Sequence, residues 1–183
     1  MIMYIILAVV VLLIIWIIAS YNKLIRGKNR VDEALSTMDV YLKKRFDLIP
    51  NLVDTVREYA RHESETLENV VAARNASDKT ENMAERAQFE NDIDRSLRNI
   101  WALSENYPEL KANANFIDLQ EQLQQVEEDI ANARKYYNAV VRNYNNDIMM
   151  IPTNIIAGVC HFEKAKLYEV GDEERENVKV NFK

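Results

Sequence analysis

Residues 116–144 read FIDLQEQLQQVEEDIANARKYYNAVVRNY. Phe116, Leu119, Leu123, Val126, Ile130, Ala133, Tyr137, Val140 and Tyr144 recur there at alternating steps of three and four, a seam held over four heptads. In an α-helix that spacing keeps one stripe of side chains turned toward partner helices. The helix runs from about residue 113 to 150, and Pro152 ends it.

Working outward, residues 30–74 show the same alternation, with one row at Leu35, Leu42, Ile49 and Val56 and another at Val31, Met38, Arg45, Leu52 and Tyr59. A shorter helix over 80–106 carries Phe89, Ile93, Leu97, Ile100 and Leu103, flanked by Trp101, and closes at Tyr107-Pro108. The connections 75–79 and 106–111 are short, and short connections force antiparallel neighbours. The glycines Gly27, Gly158 and Gly171 lie outside the periodic stretches, as do Pro108 and Pro152, while Pro50 sits inside one. The fold class is therefore all-α: an N-terminal transmembrane helix followed by an elongated antiparallel up-and-down helical bundle. Three long helices are expected, with a fourth if the chain bends at Pro50 or if residues 154–168 fold back as a short helix. At ~1.5 Å per residue the three are about 65, 40 and 55 Å long, too slender to enclose a deep pocket, which puts the chemistry on the surface. An antiparallel bundle uses such seams up within one chain; a homo-oligomer would use them between chains.

The N-terminus, MIMYIILAVVVLLIIWIIA over residues 1–19, has no charge, Gly or Pro, and thirteen of its residues are Ile, Leu or Val. As a helix it spans about 28 Å, close to the ~30 Å hydrocarbon core of a bilayer. No basic segment precedes it and it exceeds the apolar run of a cleaved signal, so an uncleaved anchor is expected, contacting lipid through residues 2–19. Lys23, Arg26, Lys28 and Arg30 follow before the first acid, Asp32. The positive-inside rule makes them the topology signal, with the N-terminus outside and the body cytoplasmic. The expected organisation is an anchor at 1–20, a basic juxtamembrane linker at 21–30, a helical bundle at 31–160 and a charged C-terminal tail at 161–183. Gly27 is a candidate hinge, or a helical Gly tolerated at ~1 kcal/mol.

Beyond residue 30 the chain carries 19 basic and 29 acidic side chains, a balance that argues against a nucleic-acid partner. Cys160 is the single cysteine, which excludes an intrachain disulfide. His62 and His161 are the two histidines. Neither belongs to a His-Glu-x-x-His or a paired Glu-x-x-His arrangement, and Cys160 and His161, adjacent on a helix, would diverge by ~100°. No Walker loop, dinucleotide fingerprint or nucleophile elbow is present. No catalytic residue, metal ligand or cofactor site is expected.

The densest unusual stretch is residues 39–63, DVYLKKRFDLIPNLVDTVREYARHE. Arg45 takes a seam position, either pairing with a carboxylate of a neighbouring helix or meeting an anionic ligand or partner. Pro50 leaves the Phe46 carbonyl without its helical donor. Asn51 sits beside it, and Tyr59, His62 and Glu63 make a polar cluster on adjacent turns. Arg45, Pro50, Asn51, Tyr59, His62 and Glu63 are the candidate partner-binding residues, each with a plain packing or solvated-face alternative. The pairs Tyr137-Asn138 and Tyr144-Asn145 repeat one heptad apart and suit core packing with hydroxyls at the rim. The tail ends in an alternating Val178-Lys179-Val180-Asn181-Phe182, either frayed or a docking peptide.

Several blocks in this order resemble the LemA family: Tyr21-Asn22 and Asn29-Arg30-Val31 after the apolar span; Leu42, Arg45 and Asp47-Leu48-Ile49-Pro50-Asn51-Leu52-Val53; Tyr59, His62-Glu63 and Leu67. Further along come Tyr107-Pro108-Glu109-Leu110-Lys111-Ala112-Asn113 with Phe116, then Ala133-Arg134, the two Tyr-Asn pairs, and Pro152 with Asn154. The resemblance covers nearly the whole chain. Leu35 stands where the family often has Trp, and Val159-Cys160-His161-Phe162 replaces a segment usually richer in Phe and Gly. The resemblance implies a bacterial inner-membrane protein with a four-helix up-and-down body, no known enzymatic activity, and a place near membrane protein quality control or envelope processes. The expected function is a membrane-tethered, non-enzymatic scaffold or adaptor contacting an unidentified membrane or peripheral protein. The alternative is a ligand- or metal-sensing helical bundle built on His62, Glu63 and acidic neighbours.

Overall fold

The computed structural model describes residues 1–80 and 82–168. All regular elements among them are helices: α1 (Ile2–Tyr59), α2 (Ser64–Lys79), α3 (Met83–Ser104), α4 (Pro108–Lys111), α5 (Ala114–Met149) and α6 (Thr153–Val159). The all-α expectation holds. The alternating end of the tail, 178–182, lies outside the described residues.

The helices differ from the expected layout at three places, and one expected alternative is realised. α1 does not break at Pro50 but runs through it and stops at Tyr59, so the expected 30–74 helix is two helices separated by residues 60–63. Reversal there lets Leu67 and Val70 of α2 enter the same core as Leu52 and Val56. The expected connection at 75–79 is the last part of α2, and Asn82 then caps α3 by accepting from the Ala84 amide at 3.0 Å. Residues 154–168 do begin as a short helix, α6, which Thr153 prepares by donating to the Met150 carbonyl at 3.0 Å. The basic stretch 21–30, expected as a linker, is continuous helix within α1.

Among the described residues the chain forms two compact units, one from Met1–Asp39 with Asn132–Leu167, the other from Val40–Ala131 with Tyr168. In the first, the apolar run of α1 is exposed along its length, and only Trp16 turns partly inward. Its small core is Leu24, Ile156 and Ala157, against which Trp16, Ile148 and Phe162 pack. Gly27 is closely approached rather than free to hinge: a Cβ there would stand 3.0 Å from Tyr144 Cδ2. After α6, the segment leading from Phe162 is tied down. Asn145 makes two 2.9 Å hydrogen bonds to the backbone of Ala165, accepting from its N–H and donating to its carbonyl. Tyr137 donates to the Lys166 carbonyl at 2.9 Å. Part of the Tyr-Asn repeat thus serves to dock this segment. Burial also raises the Tyr137 and Tyr144 hydroxyl pKa values, with the Asp32 carboxylate adding to it.

The second unit holds the larger core, drawn from α1 (Ile49, Leu52, Val53, Val56), α2 (Leu67, Val70), α3 (Ile93, Leu97, Ile100), α4 (Leu110) and α5 (Phe116, Leu119, Leu123). Asn113 caps α5 by accepting from the Phe116 amide at 3.0 Å. Trp101 meets the Phe116 ring edge-on, with centroids 5.6 Å apart.

Candidate functional site

Arg45 sits on the core stripe of α1 and is fully buried. Its guanidinium donates to three carboxylates: Glu90 through Nη2, and Asp94 and Glu127 through Nη1, the last at 2.5 Å. Glu90 also accepts from Ser77 Oγ. One cluster therefore joins α1, α2, α3 and α5. Burial by itself lowers the Arg45 pKa. The three carboxylates, Glu127 first, more than reverse this and hold it above the ordinary guanidinium value. Glu127 is raised: burial pushes its carboxyl up, Arg45 pulls it down, and Asp94 adds like-charge repulsion. Three carboxylates around one guanidinium leave the cluster with surplus negative charge.

Beside that cluster, α3 and α5 flank a groove of about 340 Å³ lined by Asp94, Leu97, Arg98, Trp101, Gln120, Leu123, Gln124 and Glu127. Asp94 and Glu127 belong to both the groove and the Arg45 cluster. The groove thus offers an apolar lining with a charged contribution from carboxylates whose positions are fixed from inside. A second groove of about 440 Å³, along α2 and the end of α1, is lined by Arg57, Arg61, Ser64, Leu67, Glu68, Val71, Ala72 and Asn75.

The candidate residues of the 45–63 block do not act alike. Arg45 pairs with carboxylates of neighbouring helices and is closed to a partner's direct touch. Pro50 is half-buried, and the Phe46 carbonyl it leaves unbonded accepts from Arg74 Nε at 2.9 Å. Asn51 is exposed, ~120° around the helix from Arg45. Tyr59 accepts at its hydroxyl from Asn113 Nδ2 at 2.8 Å, and Glu63 accepts from the Tyr107 hydroxyl at 3.1 Å. These two bonds fix the α3–α5 connection, and the bond to Glu63 is the first reason the Tyr107 pKa is raised. His62 is exposed in the turn after α1. Among the described residues no three His, Cys, Asp or Glu side chains are placed to share a metal ion.

Sequence reasoning missed Glu90, Asp94, Glu127 and Ser77. The signal was there for Glu90: it lies on the same stripe as Ile93, Leu97 and Ile100, as Arg45 lies on the stripe of α1. Opposite charges on the apolar stripes of two helices point to a buried ion pair.

The sequence model of the LemA family matches residues 34–182, from just inside the body into the tail. Protein LemA of Metamycoplasma hominis is 24% identical over 163 residues, which cover 86% of this chain and 72% of that protein. Because the family match takes in most of the sequence, the chain belongs to the LemA family.

Proposed function

We propose that this chain, as a member of the LemA family, is a membrane-tethered, non-enzymatic scaffold or adaptor. Residues 2–19 of α1 cross the inner membrane. The basic residues Lys23, Arg26, Lys28 and Arg30 hold the body on the cytoplasmic side, with the N-terminus outside. The α3–α5 groove receives a basic amphipathic segment of another membrane or peripheral protein, such as one engaged in envelope quality control. Asn51 and His62, open to solvent on the same unit, add contacts at a second region.

One observation carries this reading: Asp94 and Glu127 line an apolar groove while sharing a single guanidinium with Glu90. With Arg98 on the groove wall counted beside Arg45, the carboxylates Glu90, Asp94 and Glu127 still leave a surplus negative charge that favours a cationic occupant, and Leu97, Trp101 and Leu123 favour one with an apolar face. The family and the all-helical fold give no sign of catalytic activity, and α1 is long and apolar enough to span a bilayer.

The test places a photocrosslinking residue at Gln124 in the full chain in its membrane and maps the crosslinked peptide by mass spectrometry. A Lys- or Arg-bearing amphipathic segment is expected, lost when Gln120→Trp fills the groove. An acidic or uncharged peptide, or a yield unaffected by Gln120→Trp, contradicts the proposal.

A further inference from the structure

The end of α5 and α6 form a corner with an unusual composition. Residues 148–162, IMMIPTNIIAGVCHF, contain no Asp, Glu, Lys or Arg in a chain that is 28% charged. Thr153, Ile156 and Ala157 turn inward. Outward stand Met149, Met150, Ile151, Ile155 and Val159, between 49% and 83% exposed. Five large apolar side chains open to solvent within eleven residues call for a cover.

The corner's place within its unit says which. Ile156 and Ala157 share a core with Leu24, and Trp16 packs against it. Lys23 Nζ meets Asp147 at 2.5 Å, and Tyr21 meets the Phe162 ring edge-on with centroids 5.8 Å apart. The corner therefore stands level with residues 16–24 of α1, where the exposed apolar run gives way to basic side chains. Trp and Tyr at such a level mark the headgroup boundary of a bilayer, with Lys and Arg just beyond it.

We infer that the α5–α6 corner is a second membrane contact, resting on the reading of α1 as the anchor. Met150, Ile151, Ile155 and Val159 enter the boundary between headgroups and acyl chains in the leaflet where α1 emerges. The occupant of this apolar face is lipid, continuous with the lipid around residues 2–19. Apolar faces that lie in the interface plane of a bilayer sink ~5–10 Å into it. With α1 they give the unit two points of attachment, which fixes its rotation about the α1 axis.

The test uses the full chain with Cys160→Ser, reconstituted in phosphatidylcholine–phosphatidylglycerol vesicles. Single cysteines at position 151, at position 10 in the anchor and at exposed position 135 each carry an environment-sensitive fluorophore. Quenching is read with nitroxide-tailed lipids and with aqueous iodide. Position 151 is expected to be quenched by shallow nitroxide about twofold more strongly than position 135, and to be shielded from iodide. Position 155 repeats the reading on a neighbouring side chain. Iodide access at 151 and 155 with position 10 still quenched by deep nitroxide overturns the inference and leaves the anchor intact. Shielding of 151 and 155 from both quenchers means a protein cover, a second copy for instance, and overturns it too. Loss of lipid quenching at position 10 overturns the anchor reading itself, and this inference with it.

Discussion

Arg74 completes the helix that Pro50 interrupts. Its Nε donates to the Phe46 carbonyl at 2.9 Å, the acceptor whose helical donor Pro50 lacks, and its guanidinium lies 3.5 Å above the Phe46 ring. A proline inside a helix commonly costs ~3 kcal/mol, largely through that lost bond and a clash with the same turn. Here a side chain of α2 supplies the missing donor, so α1 continues.

Arg74→Ala should therefore destabilise the protein by roughly 1–3 kcal/mol, the usual cost of stranding a part-buried carbonyl together with a lost cation–π contact. In a Pro50→Ala background the backbone donor returns, and the same Arg74→Ala change should cost clearly less. A double-mutant cycle in denaturant, on the full chain in detergent, reads the coupling. Equal costs in both backgrounds would mean that Arg74 does not substitute for the missing amide.

Arg45→Met leaves Glu90, Asp94 and Glu127 without their shared cation. Removing one partner from a buried ion cluster typically costs about 3–5 kcal/mol, so a severe loss of stability is expected at neutral pH. Adding Glu90→Gln should return part of it, because the buried like charges then number one fewer. Chemical denaturation of the two variants checks both statements.

The pH dependence of Glu127 has a definite sign. Its carboxyl is raised above the ordinary 4.5 in the folded state, so folding binds its proton more tightly than the unfolded chain does. Its ionisation consequently costs stability as pH rises above 4.5. Glu127→Gln removes that cost while keeping a carbonyl acceptor for Arg45. The stability of Glu127→Gln relative to the parent should climb as pH is raised from 4.5 and level off above the folded-state pKa, as read by denaturation at a series of pH values. A difference that stays flat, or falls, over that window contradicts the assignment. Arg45 adds no slope there, because its own raised pKa keeps it charged throughout.

Gly27 separates packing from hinging. Gly→Ala in a helix normally gains up to ~1 kcal/mol, but the new Cβ would press on the Tyr144 ring at 3.0 Å. Gly27→Ala alone should fail to stabilise, and should stabilise within a Tyr144→Ala background. Thermal unfolding of the four chains decides it. A full gain in the parent background would show that the ring yields freely.

The helical periodicity of the sequence was enough for the fold class and most of the buried stripe, including the carbonyl stranded by Pro50. Several positions slipped by one residue: Val141 is buried in place of Val140 and Ala34 in place of Leu35, as are Ala60, Glu90 and Ser104 in place of Tyr59, Phe89 and Leu103. The reason is geometric. A strict heptad has 3.5 residues per turn, whereas a nearly straight helix drifts ~20° per heptad, so a step of three must become four. That happens between Tyr137 and Val141, and again between Ala34 and Met38 onward to Leu42. The end of α1 was hidden differently, since Ala60, Arg61, His62 and Glu63 include no breaker and only the gain from burying Leu67 and Val70 reverses the chain there. Of the candidate site, Arg45 was legible as a charge out of place. Its partners were not, because which acids meet it depends on how four helices align.

In the proposed function α1 spans a membrane and leaves the body on the cytoplasmic side. The most direct test is labelling by a membrane-impermeant maleimide in the full chain with Cys160→Ser, using a cysteine in a short polar extension placed ahead of Met1 and, separately, one at exposed Glu121. The extension cysteine should label in intact cells, and position 121 only after permeabilisation. Labelling of position 121 in intact cells would contradict the account, as would release of the protein from membranes by alkaline carbonate.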